Sequence, residues 1–297
     1  MKTMQPDVID LEDAIDIHFH PHPDLIPRAT DDRGVVQRAE ECRMRAVVLK
    51  GHFESTVGRA YNVGQRFESI DVYGGLVLNR HTGGMNPAAA EVSVRLGAKI
   101  IWMPTVDADF HARTYGFTGG YNTQKSDSRP VEPISIVRED GRLTQECQDV
   151  LDVLAQDNSA ALATGHFSAE HVDVLVRAAV ERGVKRIILQ HVYFKIPAMT
   201  HDRVKSLTAL DGVIAELEYC GISPFWAQPG QTLDLMREGI AEIGADHFIL
   251  ISDGGQRHNP LPADGLRILA QSFYEKGVTR EELRTMMCVN PAKILDL

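Results

Sequence analysis

Ile15-Asp16-Ile17-His18-Phe19-His20-Pro21-His22-Pro23 reads as a short buried strand that runs into a histidine cluster. Residues two apart on a strand share a face, so the alternation predicts that Asp16, His18 and His20 project together. Two imidazoles side by side at a strand end can grip one divalent metal ion. Taken alone, a His-x-His pair reads as a polar strand end with hydrogen-bonded rings. What later strands place beside it decides between the two.

Outward from this stretch, short apolar runs alternate with longer segments of helical spacing. Strands are expected at Ala14–His20, Ala46–His52, Val72–Leu78, Lys99–Val106, Ala161–Phe167, Arg186–Phe194, Val213–Cys220 and His247–Asp253. Helical spacing fills the intervals, and Thr279 with Glu282 forms a capping-box signature for a last helix. Eight such units predict an α/β fold, a closed (β/α)8 TIM barrel with its active site at the C-terminal ends of the strands. An open doubly wound sheet would want a glycine-rich phosphate turn after an early strand, and Gly83-Gly84 and Gly119-Gly120 are isolated pairs. One domain over residues 1–297 is the economical reading. Residues 107–142 break the pattern, with much Gly, Asp, Ser and Arg and no clear period. They read as an insertion after strand four, and Tyr115, Phe117 and Tyr121 suit a lid over an organic ligand. A contact between subunits of a homo-oligomer is the other reading of that segment.

Composition narrows the function classes. The hydrophobic share of 43% is ordinary for a globular chain. No run approaches the ~18 to 20 apolar residues of a membrane span. The opening Met-Lys-Thr-Met-Gln-Pro-Asp lacks the apolar core of a signal peptide, which makes a cytoplasmic location the expectation. A net charge of −10 argues against nucleic acid or an anionic membrane as partner and leaves a small-molecule substrate. Cys42, Cys147, Cys220 and Cys288 are far apart and read as reduced thiols.

The polar residues at the strand ends carry the chemistry. Strand one ends in His18 and His20, strand two in Lys50 and His52, strand three in Asn79, Arg80 and His81. Strand four ends in Thr105 and Asp107, strand five in His166, strand six in His191, and strand eight in Asp253. Strand seven carries Glu216 and Glu218. Four histidines and one aspartate thus fall where a single ion at a barrel mouth could reach them. Neutral imidazole and carboxylate suit Zn foremost, and also Mn, Fe or Ni.

This ordered set resembles the amidohydrolase superfamily of metal-dependent hydrolases. The resemblance rests on His18-x-His20, His166, His191 and Asp253, and on the close Cys288-Val-Asn290-Pro, similar to the asparagine-containing terminal helix of many members. It implies that His18 and His20 hold a metal, and that His166 and His191 hold a second ion or divide the work between ligand and substrate contact. Asp253 would bind the first metal and take a proton from the attacking water. One or two ions fit this scheme. The implied reaction is hydrolysis of a C–N bond in an amide or cyclic amide. Ester or lactone hydrolysis, decarboxylation on the same barrel, and a non-catalytic metal-binding barrel are the alternatives.

Strand four departs from the two-metal pattern, because Met103-Pro104-Thr105-Val106-Asp107 offers neither a bridging lysine nor a glutamate. Lys50 is the candidate substitute, as a carbamylated bridge, as a cationic substrate contact, or as half of a salt bridge to Asp16 or Glu218. Arg28, His52, His81, Tyr121, Tyr193 and Arg257 are candidate substrate-binding residues in the following loops. His22, His111, His201, His247 and His258 are read as surface or loop residues.

Overall fold

A computed structural model describes residues 7–121, 124–125, 129, 131–225 and 231–297. The first six residues of the chain, and a few positions of the 107–142 segment, lie outside these. In chain order the strands are β1 (Ile15–Phe19), β2 (Ala46–Leu49), β3 (Asp71–Tyr73), β4 (Gly75–Val77), β5 (Ile100–Trp102), β6 (Gly120–Tyr121), β7 (Gln124–Lys125), β8 (Ala161–Ala163), β9 (Ile187–Leu189), β10 (Val213–Glu218) and β11 (Phe248–Ile251). Helices α1 (Asp32–Glu41), α2 (Val57–Gly64), α3 (Pro87–Arg95), α4 (Asp109–Tyr115), α5 (Gln145–Asp157) and α6 (Ala169–Glu181) cover the first part of the chain. Helices α7 (His201–Thr208), α8 (Leu233–Ile243), α9 (Pro262–Glu275), α10 (Arg280–Arg284) and α11 (Asn290–Leu295) cover the rest.

The result is a mixed α/β fold built on parallel sheets. One sheet runs β1-β2-β3, and the second runs β11-β10-β9-β8-β5-β4. Gly74 divides them. A Cβ there would lie 2.5 Å from the Thr56 carbonyl oxygen, so only glycine lets the loop before α2 pass this close. Thr56 Oγ1 fills the gap, donating to Leu49 O and accepting from Gly75 N. At the other edges Phe19 bridges Gly254, and Asp253 N donates to His18 O at 2.9 Å.

The strands bury two faces, as expected where helices cover a parallel sheet. Residues such as Val47, Leu76, Ile101, Leu162, Leu189, Leu217 and Leu250 pack toward the helices. The opposite positions, among them Ile17, Val48, Trp102, Ile188, Ile214 and Ile251, form a second cluster with Ile294 and Leu295 of α11. Asn290 anchors that last helix by donating to the carbonyls of Ala245, Asp246 and Phe248 at the start of β11. Five helices begin with a hydroxyl cap, from Thr144, Ser168, Thr200, Thr232 and Thr279, each accepting from a first-turn N–H. The Thr279–Glu282 capping box forms as the spacing predicts.

Two local expectations change. Asp16 does not share a face with His18 and His20. The β1–β2 register shifts between Asp16 and Phe19, so Ile15 and Ile17 join the inner cluster while Phe19 packs toward the helices. The shift reverses the alternation, and the Asp16 carboxylate turns to Ser252 Oγ (2.5 Å) and the His18 amide (3.2 Å). The segment after strand four is not free of regular structure either, since it holds α4 and the β6–β7 hairpin. Among the described residues no helix is long and apolar enough to cross a membrane.

Candidate metal centre

The ends of β1, β2, β10 and β11 bring one group of side chains together. His18 Nε2 lies 3.2 Å and His20 Nε2 3.3 Å from Asp253 Oδ1. Ligand atoms of these three all lie within 4.8 Å of one another, the one such His, Cys, Asp or Glu trio among the described residues. Donors about 2.1 Å from a shared ion stand roughly 3 to 3.4 Å apart, so the spacing fits a divalent metal. His18 Nδ1 donates to Glu216 Oε2 at 3.1 Å, so a neutral His18 ring has its bare nitrogen at Nε2. Lys50 Nζ donates to that nitrogen at 2.8 Å.

Charge at this rim is finely opposed. Burial and Lys50 pull the His18 pKa down, but Glu216 and Asp253 outweigh them and raise it. Burial works against charge on Asp253, yet His18 and His20 hold its carboxyl well below the usual range. His20 is driven well below its ordinary value by burial and by Arg28. Burial pushes the Lys50 ammonium down to about 8. Lys50 faces His18 and the Trp102 ring, 5.4 Å away, while Asp16 is engaged by Ser252 and Glu218 by Gln231. The salt bridge to Asp16 or Glu218 is therefore not the arrangement found.

His166 and His191 meet beside this trio rather than within it. Their Nε2 atoms are 3.2 Å apart, and the His191 ring stands 5.9 Å from the His18 ring. His191 Nδ1 donates to Ile196 O at 2.9 Å. His191 and Asp253 both hold positive φ angles, +28° and +42°. Such backbone costs a side-chain-bearing residue about 1–3 kcal/mol and persists where the surroundings over-determine it. Here it aims both side chains at one rim.

The other candidates divide. Arg28, His52 and Tyr121 line a narrow cavity of about 20 Å³ with His20, Asp253 and Gln256. Arg28 is held by Asp24 Oδ2 at 2.8 Å, and the His52 ring stacks on His20 at 4.4 Å. His81 turns to Asp107 Oδ2 at 3.3 Å. Tyr193 packs against His201 and Gly239, away from the rim, and Arg257 is exposed. A larger cleft of about 580 Å³ lies on the surface around Asp32 and Arg59, whose charges already satisfy each other. Two residues at the centre had no assigned partner in the sequence. Glu216 could have been suspected as an inward carboxylate two residues from Glu218. His111 gives no sequence signal at all, yet it is fully buried, with its Nδ1 3.0 Å from His166 Nδ1.

These shifts predict acid sensitivity of the metal-free protein. Burial pushes His111 and His191 down to about 4 from 6.5. Between those values the unfolded chain binds protons that the folded rings refuse, so stability present above pH 6.5 is lost as pH falls toward 4. Asp16, raised by burial to about 6, acts oppositely, adding stability below pH 6 that is lost as pH rises through that value. From pH 7 to 5 the two rings cost about 3–4 kcal/mol and Asp16 returns about 1, so these three groups together cost ~2 kcal/mol. Urea unfolding of chelator-treated protein at the two pH values measures it. Equal midpoints would contradict the buried neutral rings.

Comparison with solved structures gives the fold independent support. An amidohydrolase from Pseudomonas aeruginosa matches with a TM-score of 0.59 and 12% identity, over 95% of this chain and 96% of the other. A protein from Pseudomonas putida proposed to be a 2-pyrone-4,6-dicarboxylic acid hydrolase matches with a TM-score of 0.61 and 14% identity, over 97% and 98%. A dihydroxybenzoic acid decarboxylase from Polaromonas, with manganese and 2-nitroresorcinol bound, matches with a TM-score of 0.52 and 12% identity, over 96% and 97%. At these identities the likeness is one of fold: the chain is built like amidohydrolases and the decarboxylases related to them. No curated protein matches it in sequence. A family model described as "Family of unknown function (DUF6282)" matches residues 13–216, from just before β1 into β10. With well over half its length matched, the chain belongs to the DUF6282 family.

Proposed function

We propose that this protein is a metal-dependent hydrolase on a closed (β/α)8 barrel, cleaving a C–N bond in an amide or cyclic amide of a small molecule. The observation that carries the proposal is the convergence of His18 Nε2, His20 Nε2 and Asp253 Oδ1 within 4.8 Å. Closure of the barrel is supported by the Phe19–Gly254 bridge and by the inner cluster drawn from strands of both sheets. The whole chain forms one domain in this reading, with Tyr121 among the walls of the site. Free Cys147, Cys220 and Cys288, all buried, agree with the reducing cytoplasm expected from the sequence.

His18, His20 and Asp253 would hold one ion, zinc foremost. A bound divalent ion lowers the pKa of water to around 7 and polarises a carbonyl. Asp253, kept ionised by His18 and His20, accepts the proton of the attacking water and passes it to the leaving nitrogen. Lys50, buried beside the trio, suits an anionic group on the substrate, and Arg28, paired with Asp24, lines the cavity next to it. His166 and His191 face the same space and would take a second ion or contact substrate. A cavity of about 20 Å³ admits only a water or two, so an organic substrate would need its walls to part.

Decarboxylation is the second reading. It is favoured by the buried Lys50 cation, which suits a carboxylate, and by the single trio of ligands among the described residues. The test is a panel of amides, cyclic amides, esters, lactones and aromatic carboxylates offered to Zn- and Mn-loaded protein, with products identified by mass. Hydrolysis adds the mass of water across the cleaved bond, and decarboxylation loses carbon dioxide. Chelation is expected to abolish turnover and added metal to restore it. Metal analysis should show His18→Ala and His20→Ala each losing the ion, and retention of full metal by both would refute the site. A metal-loaded protein inert on the whole panel would favour a binding barrel.

A further inference from the structure

We propose that His111 is a positioning residue that fixes the tautomer of His166, presenting His166 Nε2 to the rim as a bare nitrogen. His111 sits on α4 and is fully buried. Its Nε2 lies 2.8 Å from Gly120 O. A carbonyl oxygen only accepts, so this nitrogen carries a proton. A neutral His111 ring then has a bare Nδ1, which must accept from His166 Nδ1 at 3.0 Å. His166 thereby holds its own proton on Nδ1, and its Nε2 is left open.

The surroundings keep His111 neutral. Its ring lies 4.7 Å from Tyr115 and 5.1 Å from Tyr121, and it stacks on His166 at 5.1 Å with 16° between planes. Burial among rings, with no carboxylate hydrogen-bonded to it among the described residues, disfavours an imidazolium. A doubly protonated His111 would donate to His166 Nδ1 instead and force an N–H onto His166 Nε2.

The consequence at the rim is specific. His191 Nδ1 donates to Ile196 O, so its Nε2 is bare as well, 3.2 Å from His166 Nε2. Two lone pairs facing each other at that distance need a shared donor or cation between them. Gln190 Nε2 approaches both, at 3.0 Å from His191 and 3.5 Å from His166. Helix α4 therefore does more than pack beside the cavity. Through His111 it determines which nitrogen of His166 can accept. The link from tautomer to metal affinity rests on the proposed function, whereas the tautomer itself does not.

The experiment is long-range 1H–15N correlation on metal-free protein labelled at histidine, with the His166 signals assigned through His166→Gln. The expected spectrum shows His166 as the Nδ1–H tautomer. In His111→Leu that preference should collapse to a mixture. In His111→Asn the carboxamide oxygen can accept in place of the ring nitrogen, and the tautomer should be retained. Zinc titration of the same proteins should show His111→Leu binding about 10–100-fold more weakly, with His111→Asn close to the parent. An Nε2–H tautomer at His166 in the parent protein overturns the proposal, and that result needs neither an ion nor turnover. An unchanged tautomer in a folded His111→Leu overturns it equally.

Discussion

Asp253→Asn is expected to keep the fold and most bound metal while turnover falls by about 10²–10⁴-fold, the range for a lost general acid–base group. Asn preserves the shape of the side chain and one oxygen facing His18 and His20. It loses the ability to take up a proton. Asp253 is suited to that task because the two imidazoles keep it ionised despite burial. Its position is also conformationally specified, since φ is +42° and the amide donates to His18 O. Backbone geometry therefore survives a change in side-chain chemistry. Turnover on the panel substrate, metal content and circular dichroism should be measured on the same preparation. An Asn variant that turns over normally would remove the proton-transfer role, and one that loses its metal would reassign Asp253 as chiefly a ligand.

Gly255→Ala should cost at least about 3 kcal/mol, in the upper range for a single substitution. A Cβ at this position would lie 1.9 Å from His20 O and 2.8 Å from His20 C, both main-chain atoms. Neither partner can yield easily. His20 N donates to Gly254 O at 2.9 Å, and Ala29 N donates to Gly255 O at 2.9 Å. The residue also holds φ at +107°, which an L side chain adopts only at a further cost of about 1–3 kcal/mol. Because the clash falls on His20, metal affinity should drop along with stability. Gly277→Ala is the control: φ is +92° there, but a Cβ would meet nothing within 4 Å, so only the backbone strain remains. Urea melts of the two variants separate the terms. A Gly255→Ala protein no less stable than Gly277→Ala would show that the β1–β11 junction yields to the added methyl group.

The centre of the site was partly legible because its chemistry lies at strand ends. His18, His20 and Asp253 could be named from the alternation of strands and helices, since each follows a recognisable apolar run. Their face could not be read correctly in full. The alternation rule put Asp16 with His18, and the register shift against β2 separated them, a feature set by the neighbouring strand rather than by β1 itself. Tyr193 illustrates the same limit. It belongs to the turn after β9 and could face either way, and the space beside Gly239 on α8 draws it outward.

Local physics, then, was written in the chain by itself. Apolar runs mark strands, spacing marks helices, and hydroxyls at Thr144, Ser168, Thr200, Thr232 and Thr279 mark where helices start. Each depends on interactions a few residues apart. Only the tertiary structure could join Glu216 to His18 across 198 positions, or His111 to His166 across 55. Those pairings decide which ring nitrogen carries a proton. They depend on how strands and loops close in space, which no periodicity along the chain records.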